Sequence, residues 1–240
     1  MNLYCYISID KNILVIIPAR GGSKGIPKKN IKELNGKPLI YYSIDIARGI
    51  TSDENICVST DSDDIKEYVE KYGLKVPFKR PAELATDYIG TNEVLLHALK
   101  FYEDQGKKID SILLLQPTSP FRKVQHIIEA YKLYSNELDM LVSVKETAAN
   151  PYYNCFEEDQ NGYLVISKGD GKLERRQDAP KAYEYNGSIY IINPQALKEK
   201  GLAGMKKIAK YEMDAFYSVD LDTMFDWKLA ELMIAEKIIE

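Results

Sequence analysis

The sequence predicts an α/β fold, a mainly parallel sheet with helices on both faces. Three observations carry that reading. Residues 13–17, Ile-Leu-Val-Ile-Ile, make a short and continuously apolar run, which fits a strand buried on both faces. Runs of the same kind recur at 56–58 and 112–115, and the stretches between them place apolar residues at helical spacing. Polar loops rich in Gly, Pro, Ser and Thr follow the apolar runs. Such alternation makes βαβ units with right-handed crossovers. In open sheets of this type ligands bind at the carboxyl ends of the strands, where those loops lie.

In chain order, a helix over 38–48 follows the first strand, with Pro38 in its first turn. The strand at 56–58 runs into Ser59-Thr60-Asp61, and Ser62 caps a helix to about Tyr72. Val94, Leu95, Ala98, Leu99 and Tyr102 share one face of a helix over 91–102, with Thr91 as its N-cap. The strand at 112–115 ends in Gln116-Pro117-Thr118-Ser119-Pro120. A helix near 124–134 and a strand at 140–144 follow. Aromatics, charges and glycines then mark an antiparallel excursion over about 145–186, with Asn161-Gly162 turning a hairpin between 153–157 and 163–167. Strand character returns at 188–192, the last strand is expected at 215–219, and an amphipathic helix over 223–239 closes the chain.

The 240 residues suffice for one large α/β domain, and 45% hydrophobic with 28% charged residues is ordinary for a soluble globular protein. A net charge of −4 argues against bulk nucleic-acid binding yet permits a small nucleotide, which needs only a few local cations. No stretch reaches the roughly 18–20 apolar residues of a membrane span. The N-terminus lacks the basic region of a secretory signal. Cys5, Cys57 and Cys155 are odd in number and widely spaced, so they read as plain thiols of a cytoplasmic protein.

Four motifs could carry chemistry. Pro18-Ala19-Arg20-Gly21-Gly22-Ser23-Lys24-Gly25-Ile26-Pro27-Lys28-Lys29-Asn30 follows the first strand directly. Its glycines let backbone amides turn toward a ligand, and Arg20, Lys24, Lys28 and Lys29 crowd four cations onto one loop, as a triphosphate requires. The spacing is not that of a Walker A loop; the plainer alternative is a solvated charge run. Asp220 and Asp222, two apart on an extended segment, can face one hard cation such as Mg²⁺, although capping by Asp222 beside a solvated Asp220 explains the spacing too. In Gln116-Pro117-Thr118-Ser119-Pro120-Phe121-Arg122 two prolines fix a loop whose Gln116, Thr118 and Ser119 could bond a sugar or base, or form an ordinary turn. Arg175, Arg176 and Lys145 could meet a second anionic group, or serve a dimer contact or an exposed face. His97 and His126 lie in helices and read as structural, and no Ser/His/Asp or Cys/His set suggests covalent catalysis.

The loop at 17–30 resembles the signature of the acylneuraminate cytidylyltransferases. The resemblance continues, in the family's order, through Val58-Ser59-Thr60-Asp61, Arg80-Pro81-Ala82-Glu83-Leu84-Ala85, Leu115 to Pro120, Arg176-Gln177, Asn186-Gly187-Ser188-Ile189-Tyr190 and Asp220-Leu221-Asp222. It implies a Rossmann-like sheet of the nucleotide-diphospho-sugar transferase type, in a single domain whose excursion reaches the partner of a homodimer. It implies CTP and a nonulosonic (acidic nine-carbon) sugar as substrates, pyrophosphate as product and Mg²⁺ as cofactor. By matching position, Ala19, Arg20, Gly21, Gly22, Ser23, Lys24 and Lys29 meet the nucleotide's phosphates, and Asn30, Arg80 and Thr91 surround the cytidine. Gln116, Thr118, Ser119 and Asn186 face the sugar, and Arg176 and Lys145 its carboxylate. Asp220 and Asp222 hold the metal and, with Arg20 and Lys29, make the catalytic set. Well-known sialic-acid members carry Arg where this chain has Glu184, so the resemblance leaves the sugar open between neuraminate and its analogue legionaminate, and the Gly-Gly-Ser-Lys-Gly form of the loop leans to the latter. Pseudaminate or 3-deoxy-octulosonate as acceptor, or a non-catalytic nucleotide-binding regulator on the same fold, are the alternatives.

Overall fold

A computed structural model describes residues 12–85 and 90–239. Its elements in chain order are β1 (Ile13–Pro18), β2 (Glu33–Leu34), β3 (Lys37–Pro38), α1 (Leu39–Arg48), β4 (Ile56–Ser59), α2 (Asp63–Lys71), α3 (Thr91–Asp104), β5 (Ser111–Leu114), α4 (Val124–Leu133), β6 (Met140–Glu146), β7 (Phe156–Glu158), β8 (Leu164–Ile166), β9 (Tyr183–Ile192), α5 (Pro194–Gly204), β10 (Ile208–Glu212) and α6 (Met224–Ala235). Six strands make the main sheet in the order β10-β6-β9-β5-β1-β4. β9 runs antiparallel to both of its neighbours, while the β1/β4, β1/β5 and β6/β10 pairs are parallel.

The continuous apolar character of β1 has a direct cause. Ile13, Val15 and Ile17 point into a core shared with α1, α2 and α4. Leu14 and Ile16 point into a second core shared with α3 and α5. A strand covered on both faces cannot alternate polar with apolar residues. A third cluster joins Trp227 and Leu221 to Ile26 and Leu34, and so packs α6 against the chain that follows the glycine loop.

Several boundaries differ from the expectation for local reasons. The stretch expected as the last strand is a 3-10 turn, Ala215–Ser218, because the Asp214 side chain accepts the Phe216 N–H at 2.8 Å and fixes a turn there. The last strand is instead β10, a sheet-edge strand whose Ile208, Lys210 and Glu212 are exposed. Sequence reading passed over α5, where Asn193 accepts the N–H groups of Gln195 and Ala196 and Pro194 occupies the first turn. It also passed over the small β2–β3 hairpin. Ser62 caps α2 as expected, by accepting the Ile65 N–H. Thr91 is not a cap but the first helical residue after Gly90, and Pro38 precedes α1 rather than opening it. The 147–182 excursion contains the β7–β8 hairpin, its turn closed by Asp159 accepting from Asn161 and Tyr163 N–H. Cys57 and Cys155 are free thiols, and Cys5 lies outside the described residues. Among the described residues no helix is long and apolar enough to cross a membrane.

Trp227 is fully buried in the third cluster. Trp227→Ala should cost about 3–5 kcal/mol of folding stability in urea melts, as large-to-small changes of a buried aromatic do.

Candidate active site

The site lies at the carboxyl ends of β1, β4 and β5. Ala19 donates its N–H to the Ser59 carbonyl at 2.9 Å, so the glycine loop starts level with the end of β4. Gly21 N–H donates to Asp61 Oδ1 at 3.1 Å, and Asn30 Nδ2 closes the loop on the Arg20 carbonyl at 3.0 Å. Lys28 adopts a left-handed conformation, φ 51°. That turn separates neighbouring cations. Lys28 goes outward to Asp64, while Lys29 goes inward to the Leu221 carbonyl at 2.7 Å and Asp222 Oδ1 at 2.9 Å. A Cβ at Gly25 would sit 2.1 Å from the Asp222 carbonyl oxygen, so only glycine lets the loop lie against that segment.

A cavity of about 440 Å³ opens between these pieces. Arg20, Ser23, Lys24, Lys29, Asn30, Arg80, Thr91, Gln116, Thr118 and Asp222, all singled out from sequence, line it. Leu84, Ala85 and Val94 give it an apolar wall beside Arg80 and Thr91. Arg80 is buried, and its side chain donates to the Ser59 carbonyl at 2.5 Å. Burial lowers its pKa, with Asp61 opposing.

Other expected residues take different places. The Ala19 and Gly21 N–H groups are spent inside the protein, so at those positions the amide-cradle expectation gives way to structural bonds. Neither these two nor Gly22 lines the cavity. Asn186 is buried. Its Oδ1 accepts from Ser143 Oγ and Ser188 N–H, and its Nδ2 donates to Ser218 Oγ at 2.9 Å. It therefore builds the floor instead of facing a ligand, as does buried Ser119, whose Oγ donates to the Asn186 carbonyl. Lys145 pairs with Glu184 at 3.0 Å across β6 and β9, and Arg176 is exposed in the excursion; neither lines the cavity. His97 packs edge-on to Phe78, and His126 accepts the Lys123 N–H at the start of α4; neither lines the cavity.

The floor owes its shape to a bulge that was not legible in sequence. The β6/β9 register shifts between Val142 and Val144, and Ser143 stitches the gap by bonding Asn186 and Ile189. Gly187, at φ +71°, stands in the bulge. A Cβ there would lie 3.2 Å from Ser119 Oγ, 3.3 Å from Gln116 Oε1 and 3.4 Å from Asp220 Oδ2, so those three side chains converge on one glycine.

Asp220 and Asp222 are not on a sheet strand. They flank Leu221, whose side chain enters the third core cluster and whose N–H donates to the Thr118 carbonyl at 2.9 Å. Burial pushes the Asp220 carboxyl above its ordinary pKa. The Thr118 hydroxyl, Lys29 and Arg122 pull it back, and Asp222 adds to the rise. Asp220 Oδ1 is buried with no hydrogen-bond partner. An orphaned carboxylate oxygen beside a second carboxylate suits a hard cation. Among the described residues no cluster of three or more acidic, His or Cys side chains forms, so any such ion would draw its remaining ligands from phosphate and water.

A second cavity of about 230 Å³ shares Thr91 and Gln116 with the first. Leu114, Met140, Tyr185, Tyr190, Leu202 and Ile208 make its wall. Burial pushes the Tyr190 hydroxyl up to about 12, so it stays a neutral donor.

The profile of the cytidylyltransferase family matches residues 14–238. The chain belongs to that family. It is accordingly a nucleotidyltransferase. This cytidylyltransferase is 39% identical over 218 residues to the N-acylneuraminate cytidylyltransferase of Streptococcus agalactiae serotype V, covering 89% of its own length and 51% of that protein. It is 36% identical over 223 residues to the CMP-N,N'-diacetyllegionaminic acid synthase of Legionella pneumophila, covering 92% of its own length and 96% of the relative. Its fold matches the solved CMP:2-keto-3-deoxy-manno-octonic acid synthetase in complex with CTP, with TM-score 0.69 at 18% identity, over 95% of this chain and 100% of the other.

Because the folded protein favours protonated Asp220, its ionisation costs stability as pH rises from the unfolded carboxyl's pKa through the raised folded one, and the cost persists above that window. Asp220→Asn should therefore raise the melting temperature of the ligand-free cytidylyltransferase at neutral pH. The gain should disappear in acid, where both states carry the proton, and calorimetry at the two pH values reads the difference.

Proposed function

We propose that this cytidylyltransferase transfers CMP from CTP to the anomeric hydroxyl of an N-acylated nonulosonic acid, of the neuraminate or legionaminate type. The observation that carries the reading is the position of Gln116, at the junction of a cation-lined cavity and an apolar one. The basic side suits a triphosphate. The apolar side, with its two tyrosines, suits the acyl groups of such a sugar. The relatives named for acylneuraminate and diacetyllegionaminate point the same way.

In this reading the sugar hydroxyl oxygen attacks the α-phosphorus and gives up its proton to solvent, the bond to the oxygen bridging to the β-phosphorus breaks, and pyrophosphate leaves. Arg20 and Lys29 stabilise charge on the phosphates, and the loop supplies alignment. Mg²⁺ on Asp220 and Asp222 would polarise the α-phosphate and lower the pKa of the attacking hydroxyl. Lys29 already neutralises part of Asp222, so triphosphate and carboxylate share this one ammonium.

The exposed apolar hairpin, with Leu164 at 72% and Tyr163 at 70% exposure, supports a homodimer in which a second copy covers it. Free thiols at Cys57 and Cys155 fit a cytoplasmic enzyme.

The test is pyrophosphate release from CTP and Mg²⁺ with a panel of nonulosonic acids, 3-deoxy-octulosonate included. Turnover should favour an N-acylated nine-carbon acid. Clear CTP binding without turnover of any panel acid would defeat the proposal. Lys29→Met should leave the fold intact and reduce kcat by about 10²–10³, the usual cost of losing one charge-stabilising group.

A further inference from the structure

Arg122 has no substrate or catalytic role above, yet it is among the most deeply buried charged groups described, at 3% exposure. Its guanidinium meets no carboxylate within ion-pair distance among the described residues. Each nitrogen instead donates to a neutral oxygen. Nε donates to Ser188 Oγ at 3.2 Å, Nη1 to Ser43 Oγ at 3.1 Å, and Nη2 to the Gln116 carbonyl. Burying a cation on neutral acceptors is costly, and an apolar side chain would fill the same space more cheaply. What an apolar chain cannot do is hold three separate elements in one plane, which the rigid guanidinium fork does.

The three elements held are informative. Ser43 is in α1, Ser188 follows Gly187 in the β9 bulge, and Gln116 ends the β5 side of the site. Gln116 Oε1 and Asp220 Oδ2 both lie against Gly187. Arg122 therefore grips Gln116 and the bulge beside Asp220, and its charge attracts Asp220. Burial lowers its pKa to about 9, so it remains a cation at neutral pH. The nucleotide half is anchored by other bonds, from Gly21 to Asp61, Asn30 to Arg20 and Arg80 to Ser59.

We infer that Arg122 is a positioning residue for the acceptor-sugar half of the reaction, fixing the Gln116 main chain and the Gly187-Ser188 bulge so that Gln116 is presented to the sugar while CTP binding is left independent of it. The inference rests on the CMP-transfer reading above.

The experiment measures, for wild type, Arg122→Met and Arg122→Lys, the CTP dissociation constant by calorimetry and separate KM and kcat values with the acid that wild type uses best. Arg122→Met should keep CTP affinity within about twofold while kcat/KM for the acid falls by about tenfold to a hundredfold, the scale of a misplaced substrate contact. Arg122→Lys, which restores the charge and part of the donor set, should recover part of that loss. Parallel loss of CTP affinity and sugar kinetics, or kinetics unchanged by Arg122→Met, would overturn the inference. If Arg122→Met does not fold, the double variant Ser43→Ala/Ser188→Ala keeps the guanidinium and strips two of its anchors. It should show the same split, and unchanged sugar kinetics in it would overturn the inference equally. A wild type that binds CTP but uses no acid would instead fail the functional proposal, so the two failures are distinguishable.

Discussion

Lys29 reaches across almost the whole length of the chain to the Leu221 carbonyl and the Asp222 carboxylate. Gly25 lies against the Asp222 carbonyl, and Ile26 shares a core with Leu221 and Trp227. This contact between the glycine loop and the Asp220–Asp222 segment is what makes a site out of two distant sequences. The loop brings cations and the segment brings carboxylates. The apolar contact behind them sets their separation. The side chain of Lys29 is only 13% exposed while that of Asp222 is 71% exposed. The ammonium is thus held from the protein side, and the carboxylate remains open to the cavity.

Much of this was legible because the signals are local and redundant. β1 reads as doubly buried because five consecutive apolar residues admit no other strand environment, and the two cores on its faces confirm it. The loop from Arg20 to Asn30 stands out through glycine and charge alone, and five of its side chains line the cavity. Ser62 announces its helix because the cap bond is made within three residues.

What escaped the sequence depends on contacts between distant residues. The bulge at Gly187 exists because Ser143, on another strand, bonds both Asn186 and Ile189. Asn186 looked like a ligand contact by its motif, but its amide is consumed by Ser143, Ser188 and Ser218. Arg122 gave no sign of burial, since its neutral acceptors come from three elements. β10 and the turn at Ala215–Ser218 were confused with one another because an edge strand with exposed alternate residues carries a weaker apolar signal than Ala-Phe-Tyr. Turn chemistry at Asp214 decided against the stronger signal.

The two cavities meet at Gln116 and Thr91 but take the rest of their walls from different parts of the chain. Met140, Tyr185, Leu202 and Ile208 belong to β6, β9, α5 and β10, none of which carries a loop cation, Asp220 or Asp222. Substitutions there can reshape the apolar chamber without touching the Lys29–Asp222 contact. Divergence at those four positions is therefore cheap for the chemistry. A scaffold partitioned in this way can vary the lining of one chamber over evolutionary time while the other stays the same.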